Sequence, residues 1–166
     1  MQDIVAEDRR WMGRALRNAR EGSVAPGCSP IGAVIVRDGV LVAEAYNEVD
    51  LRFDATAHAE IVAIRRAGTQ LGCTELRGTT LYSTLQPCGM CSMAAIWAKI
   101  GRIVYGAGRA DVHDMYFEDR HLQTIDFIRD AYRDDLALSG GVLAAECAAL
   151  YVAPGADIPQ SLQFNR

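Results

Sequence analysis

Two short patches of the sequence carry residue types that bind metal ions. They are His58-Ala59-Glu60 and Pro87-Cys88-Gly89-Met90-Cys91. Cys88 and Cys91 are three residues apart at the predicted start of a helix, so both thiols can face one point. With His58 they make three protein ligands, whereas a structural zinc site takes four. The pattern therefore predicts a catalytic zinc ion, one per chain, with water as the fourth ligand.

A carboxylate lies beside this set without being needed as a ligand. Glu60 follows His58 by two residues and can reach a metal-held water. A carboxylate there can take a proton from water and pass it to a substrate, which is general acid–base catalysis. The alternative interpretations are a charge that complements the helix N-terminus and, for the cysteines, a redox pair or structural zinc site. No second ligand pair at metal spacing accompanies the cysteines, so we favour the catalytic site.

The elements that must position these patches follow from periodicity and turn residues. Asp38-Gly39 between two apolar runs predicts a hairpin, and Thr56 and Gly72 are candidate helix boundaries. The predicted elements are helix 3–21, strands 31–36 and 40–46, loop 47–56, helix 57–70, strand 79–85, helix 88–100, strand 102–106, irregular 107–117, helix 121–133, strand 136–142 and helix 144–152. Their alternation favours an α/β fold, a three-layer α/β/α architecture around a mixed five-stranded sheet. Both patches then begin helices that face the same end of the sheet.

Length and composition limit the possible functions. The 166 residues, half of them hydrophobic, suit one domain over 1–166, with a tail over 153–166 that lacks periodicity. The net charge is −4 and Lys99 is the single lysine, which makes a nucleic-acid partner unlikely and favours a small substrate. Charged residues interrupt the N-terminus before an apolar signal can form, and five cysteines are an odd number. We therefore expect a cytoplasmic protein without a membrane span.

The combination of His-x-Glu with Pro-Cys-x-x-Cys is the signature of zinc nucleobase deaminases. The chain resembles the cytidine deaminase-like superfamily, specifically its guanine deaminase and tRNA adenosine deaminase branch. The similarity covers about residues 5–110 and resumes at 141–150. Residues 111–135 differ from the tRNA enzymes, and Phe117-Glu118-Asp119 is similar to the segment that covers the substrate in guanine deaminases. One departure is Gln86, where the family commonly has Glu.

The resemblance implies further site residues. Glu60 and Asp119 would be catalytic, the latter as a second proton-transfer acid, and Asn47 would bind the base. The other implied substrate contacts are Ala59, Leu85, Gln86, Trp97, Tyr116 and Phe117. For the aromatic residues, packing is the alternative; Trp97 is expected in the core unless it lines the pocket or a subunit contact. The family also implies a homodimer.

The implied reaction is hydrolysis of a ring C–NH2 group with release of ammonia. Guanine, converted to xanthine, is the preferred substrate. The alternatives are a single-ring amine (isocytosine, cytosine or an aminotriazine), tRNA adenosine, and a zinc-binding module without catalysis. Ile31, at a position that is often aromatic in guanine deaminases, keeps the single-ring alternative open.

Overall fold

A five-stranded sheet lies at the centre of the protein. The computed structural model describes residues 2–24, 29–117 and 122–163. The elements are α1 (Gln2–Gly22), β1 (Gly32–Arg37), β2 (Val40–Tyr46), α2 (Val49–Arg52), α3 (Ala59–Leu71), β3 (Thr79–Leu85), α4 (Gly89–Trp97), β4 (Arg102–Ala107), α5 (Thr124–Asp130), β5 (Ala137–Ser139) and α6 (Ala144–Ala148). The strand order is β2-β1-β3-β4-β5. β1 is antiparallel to β2 and β3, whereas β3, β4 and β5 are parallel, which confirms the predicted mixed sheet with flanking helices.

A buried carboxylate of the N-terminal helix α1 forms hydrogen bonds to residues of β3 and β4. Asp8 accepts hydrogen bonds at 2.8 Å from both terminal nitrogens of Arg102, and at 2.9 Å from the hydroxyl of Tyr82. α1 also crosses β1 closely, because a Cβ on Gly32 would lie 2.0 Å from the carbonyl oxygen of Ala15. Arg102 and Tyr82 compensate the buried negative charge of Asp8, which without these partners would destabilise the folded protein.

Several predicted boundaries are wrong for local reasons. The loop predicted over 47–56 contains the short helix α2, and Thr56 caps no helix because its hydroxyl donates to Asp54. α3 instead begins at Ala59 with His58 as N-cap, and ends at Gly72 as predicted, with φ +63°. The second functional helix stops at Trp97 rather than residue 100, and Lys99 adopts the left-handed conformation.

The C-terminal elements are shorter than the sequence predicts. The helix predicted over 121–133 spans Thr124–Asp130, the strand over 136–142 spans Ala137–Ser139, and the helix over 144–152 spans Ala144–Ala148. Among the described residues, no helix combines the length and apolarity that crossing a bilayer requires.

Candidate metal centre and active site

The three predicted metal ligands lie at the N-termini of two neighbouring helices. His58 is the N-cap of α3, and Cys88 is the N-cap of α4; both have extended backbone. Pro87, with its fixed φ and no N–H, directs the chain from the end of β3 into this turn. Cys91 lies in the first turn of α4 and is fully buried. The prediction that both patches start helices at one point of the fold is therefore confirmed.

The spacing of the three ligand atoms fits a zinc ion. The Nδ1 atom of His58 lies 3.7 Å from the Sγ of Cys88 and 3.6 Å from the Sγ of Cys91. All three ligand atoms lie within 4.8 Å of one another. A tetrahedral ion with Zn–S of about 2.3 Å and Zn–N of about 2.05 Å would separate N and S by about 3.6 Å. One imidazole nitrogen and two sulfurs thus surround a volume of the right size.

The hydrogen bond between the two cysteines shifts their pKa values in opposite directions. A hydrogen bond with Cys91, aided by His58, overcomes burial and lowers the pKa of Cys88 to about 5. The same hydrogen bond, together with burial, raises the pKa of Cys91 well above its ordinary value. Zinc binds thiolates, so its uptake at neutral pH requires release of the proton on Cys91.

Glu60 lies beside the ligands with one carboxylate oxygen held and the other unused. Its Oε1 atom accepts a hydrogen bond of 3.1 Å from the hydroxyl of Ser83. Its Oε2 atom is buried and has no hydrogen-bond partner among the described residues. Burial raises the pKa of Glu60, and the negative charge of Cys88 acts in the same direction, while His58 opposes both. A buried acceptor without a partner points to a missing one, such as a water or substrate N–H.

Ser83 is a site residue that sequence reasoning missed. It is fully buried in β3, where alternation places Leu81, Ser83 and Leu85 on one face of the strand. The signal in the sequence was a small polar side chain between two leucines, Leu81 and Leu85, on the same face of the strand. A buried hydroxyl in such a row requires a hydrogen-bond partner, and here that partner is the carboxylate of Glu60.

Asn47 is buried at the end of β2, next to the start of α2. Its Oδ1 accepts a hydrogen bond of 3.2 Å from the backbone N–H of Val49, so part of its side chain shapes the local turn. The backbone N–H of Asn47 donates to the carbonyl of Ile31. Ala59 opens α3 between His58 and Glu60, and is buried.

The residues at the end of β3 border the cysteines directly. Leu85 is buried as the last residue of the strand. Gln86 is also buried, and its backbone N–H donates to the carbonyl of Ala107 on β4.

The aromatic residues are distributed differently from the prediction. Trp97 is 76% exposed at the end of α4, so the expectation that it packs in the core is wrong. Phe117 is buried, and the guanidinium of Arg109 lies 4.4 Å from its ring centroid. Tyr116 is half-buried and meets Tyr151 edge-on at 5.3 Å. Asp119 lies outside the described residues.

His113 joins the loop after β4 to the C-terminal tail. Its backbone N–H donates to the carbonyl of Val152, and its Nε2 lies 3.1 Å from the carbonyl of Ala156. His113 is buried in this loop.

Comparison with known protein families identifies the family to which the chain belongs. The family model described as "Cytidine and deoxycytidylate deaminase zinc-binding region" matches residues 5–107, which is more than half of the sequence. The chain belongs to this deaminase family. His58, Glu60, Cys88 and Cys91 all lie within the matched region. The model is one of a zinc-binding region, in agreement with the donor set and its spacing.

Relatives of the chain include guanine deaminases and tRNA-specific adenosine deaminases. The chain is 41% identical over 109 residues to the guanine deaminase of Bacillus subtilis, covering 66% of this chain and 70% of that protein. It is 41% identical over 93 residues to the tRNA-specific adenosine deaminase of Aquifex aeolicus, covering 56% of this chain and 61% of the relative. A solved guanine deaminase of Nitrosomonas europaea superposes with a TM-score of 0.75 at 26% identity, covering 86% of this chain and 81% of that one.

Proposed function

We propose that the protein is a zinc-dependent hydrolytic deaminase of a free nucleobase, with guanine as the preferred substrate and xanthine and ammonia as products. The observation that carries this proposal is the free Oε2 of Glu60, buried beside three zinc-spaced ligand atoms. A structural zinc site would need a fourth protein ligand and would not need a buried carboxylate oxygen without a partner. The non-catalytic alternative is therefore disfavoured.

Glu60 carries the proton transfers of the reaction. His58, Cys88 and Cys91 would hold the zinc ion, which would supply an acidified water, with a pKa of about 7, as nucleophile. The Oε2 of Glu60 takes a proton from that water and delivers it to the ring nitrogen next to the amino-bearing carbon. Oxygen from water then replaces nitrogen on the carbon, and the amino group leaves as ammonia after a second proton transfer, for which we propose Asp119.

The carboxylate is suited to this proton transfer by its surroundings. Because burial raises the pKa of Glu60, the carboxylate is a stronger base than an exposed one. The hydroxyl of Ser83 holds Oε1, so Oε2 is the atom left to exchange protons.

The base is bound by residues around this carboxylate. We propose that Asn47, Ala59, Leu85 and Gln86 contact the ring, the last three through backbone groups. Tyr116 and Phe117 would shape the wall of the pocket, and one face of Phe117 is already covered by Arg109.

A free base is favoured over tRNA by the charges near α3. Three arginines lie on this part of the surface, and they share two acids. Arg52 and Arg66 both bind Glu48, the latter at 2.6 Å, and Arg65 binds Asp54 at 3.2 Å. The cluster therefore has one positive charge more than its acids, which on a chain of net charge −4 gives little attraction for a phosphate backbone.

The test is ammonia release from guanine, isocytosine, cytosine, aminotriazines, adenine and tRNA, compared as kcat/KM. We expect guanine to give the highest value. If guanine is untouched while a single-ring amine turns over, the purine preference is wrong and the reaction class stands. If none of these releases ammonia from zinc-loaded protein, the proposed function is wrong.

We further propose a cytoplasmic homodimer built from one domain per chain. Trp97 is 76% exposed and Phe53 is 98% exposed in the single chain, and large exposed aromatic side chains are typical of interfaces. Cys73, Cys88, Cys91 and Cys147 are unpaired, as in a reducing compartment. The bonds between His113 and the tail support one domain over 1–166. Light scattering should show a dimer at micromolar concentration, and a monomer there would contradict the proposal.

A further inference from the structure

The side chain of Gln86 contacts both ends of one segment of the chain. Its Oε1 accepts a hydrogen bond of 3.3 Å from the backbone N–H of Arg109, just after β4. Its Nε2 donates a hydrogen bond of 2.6 Å to the Oε1 of Gln123, just before α5. A backbone N–H can only donate, so the amide of Gln86 is oriented unambiguously. The side chain of Gln86, two residues before Cys88, therefore holds both the chain that follows β4 and the chain that precedes α5.

The start of α5 forms further hydrogen bonds to the turn that carries Cys88. The hydroxyl of Thr124 donates to the carbonyl of Pro87 at 3.2 Å, and the hydroxyl of Ser92 lies 3.3 Å from Thr124. Both residues are fully buried or nearly so. The start of α5 is thus joined through buried hydrogen bonds to the same turn that presents Cys88.

The residues that follow β4, 109–117, are packed against the rest of the protein. Val112, Met115 and Phe117 are buried, and the Arg109 guanidinium covers the Phe117 ring. A shift of Arg109 relative to Cys88 would therefore move this packed part as a body.

We propose that Gln86 is a positioning residue that sets the distance between the zinc-binding turn and two described stretches of chain, 109–117 and 123–130, and thereby the width of the base pocket. This inference rests on the proposed function, since it names what shapes the same site. Gln86 acts through its side chain, in addition to any contact of its backbone with the base.

Two substitutions of similar size separate the hydrogen bonds from the packing. In Gln86→Glu, the carboxylate still accepts from the N–H of Arg109, and the amide of Gln123 can turn over to donate to it. In Gln86→Met, the side chain has similar length and fills the space, but it neither donates nor accepts effectively. If Gln86 acts by positioning, the Gln86→Glu protein should keep the KM and the amide exchange rates of the wild type, and the Gln86→Met protein should not.

The experiment compares wild-type, Gln86→Glu and Gln86→Met proteins after zinc loading. We expect Gln86→Met to raise the KM for guanine about fivefold to thirtyfold, the loss of one to two hydrogen bonds, with kcat changed less. Hydrogen exchange of amides in 109–117 and 122–130 should be faster in Gln86→Met than in the other two proteins. Unchanged KM and exchange in Gln86→Met would overturn the proposal, as would a Glu variant that is impaired equally.

A variant on the other side of the bond covers the case in which Gln86→Met fails to fold. Gln123→Leu removes the 2.6 Å hydrogen bond to Gln86 while Gln86 itself is kept, and should accelerate exchange of amides in 122–130 and raise the KM. Wild-type exchange and KM in Gln123→Leu would overturn the proposal. Absence of ammonia release from wild-type protein would refute the proposed function, whereas the exchange comparison tests Gln86 independently of turnover.

Discussion

Replacing Ser83 by valine should slow the reaction by removing the hydrogen bond that fixes Glu60. The bond is 3.1 Å long between two buried groups, which is at the long end for a hydroxyl donor. Hydrogen bonds to charged groups contribute about 1.5–3 kcal/mol, and the length favours the lower figure. A loss of about 1.5 kcal/mol that applies to the transition state lowers kcat roughly tenfold.

Threonine at the same position is the matched control. Ser83→Thr and Ser83→Val have nearly the same shape, so any strain from the added carbon in this packed strand is common to both. Threonine keeps the hydroxyl and valine lacks it. Steady-state ammonia release should therefore show a kcat about tenfold lower for valine than for threonine, with similar KM.

Zinc content and melting temperature complete this test. Both variants should retain zinc, because the hydroxyl of Ser83 bonds to Glu60 and not to His58, Cys88 or Cys91. If valine and threonine variants have kcat values within about twofold of each other while both are folded and zinc-loaded, Ser83 does not position Glu60 and the reasoning is refuted.

Three further outcomes are expected. Cys88→Ala should lose most of its zinc by metal analysis, whereas Cys73→Ala, exposed and remote in sequence from the ligands, should keep about one ion per chain. Glu60→Gln should keep zinc but lose at least about 10²-fold in kcat, because an amide cannot exchange protons; activity within about tenfold would reject its role. The hydrogen bond from Arg14 lowers the pKa of Glu44 from 4.5, so its stabilisation is present above that pH and is lost as pH falls through the lowered value. Urea unfolding should thus show Glu44→Gln less stable than wild type at pH 7, and a gap that persists undiminished at pH 3 would contradict this.

The sequence predicted best what depends on alternation and on fixed ligand spacing. β2 and β3 match the predicted ranges residue for residue, because both strands are bounded by clear turn residues or by Pro87. The metal ligands are confirmed as neighbours because a three-residue spacing at a helix start allows few arrangements.

Tertiary packing explains what the sequence did not predict. The apolar spacing of Ile100 suggested a longer α4, but Ile100 is buried after the chain has already turned at Lys99. Trp97 looked like a core residue from composition alone, and its exposure depends on what packs beside α4. The contacts of Ser83 and Gln86 join residues 23 and 37 positions apart, which no local pattern encodes.

The anchoring of Asp8 also bears on how the chain folds during synthesis. Its partner Arg102 lies 94 residues later in the sequence. At about 5–20 residues per second, the ribosome completes α1 at Gly22 roughly 4–16 s before it makes Arg102. During that interval α1 can already pack on β1 and β2, but its contacts with β3 and β4 and the pairing of Asp8 are not complete. The last step in docking α1, the pairing of Asp8 with Arg102, should therefore be a late event in folding.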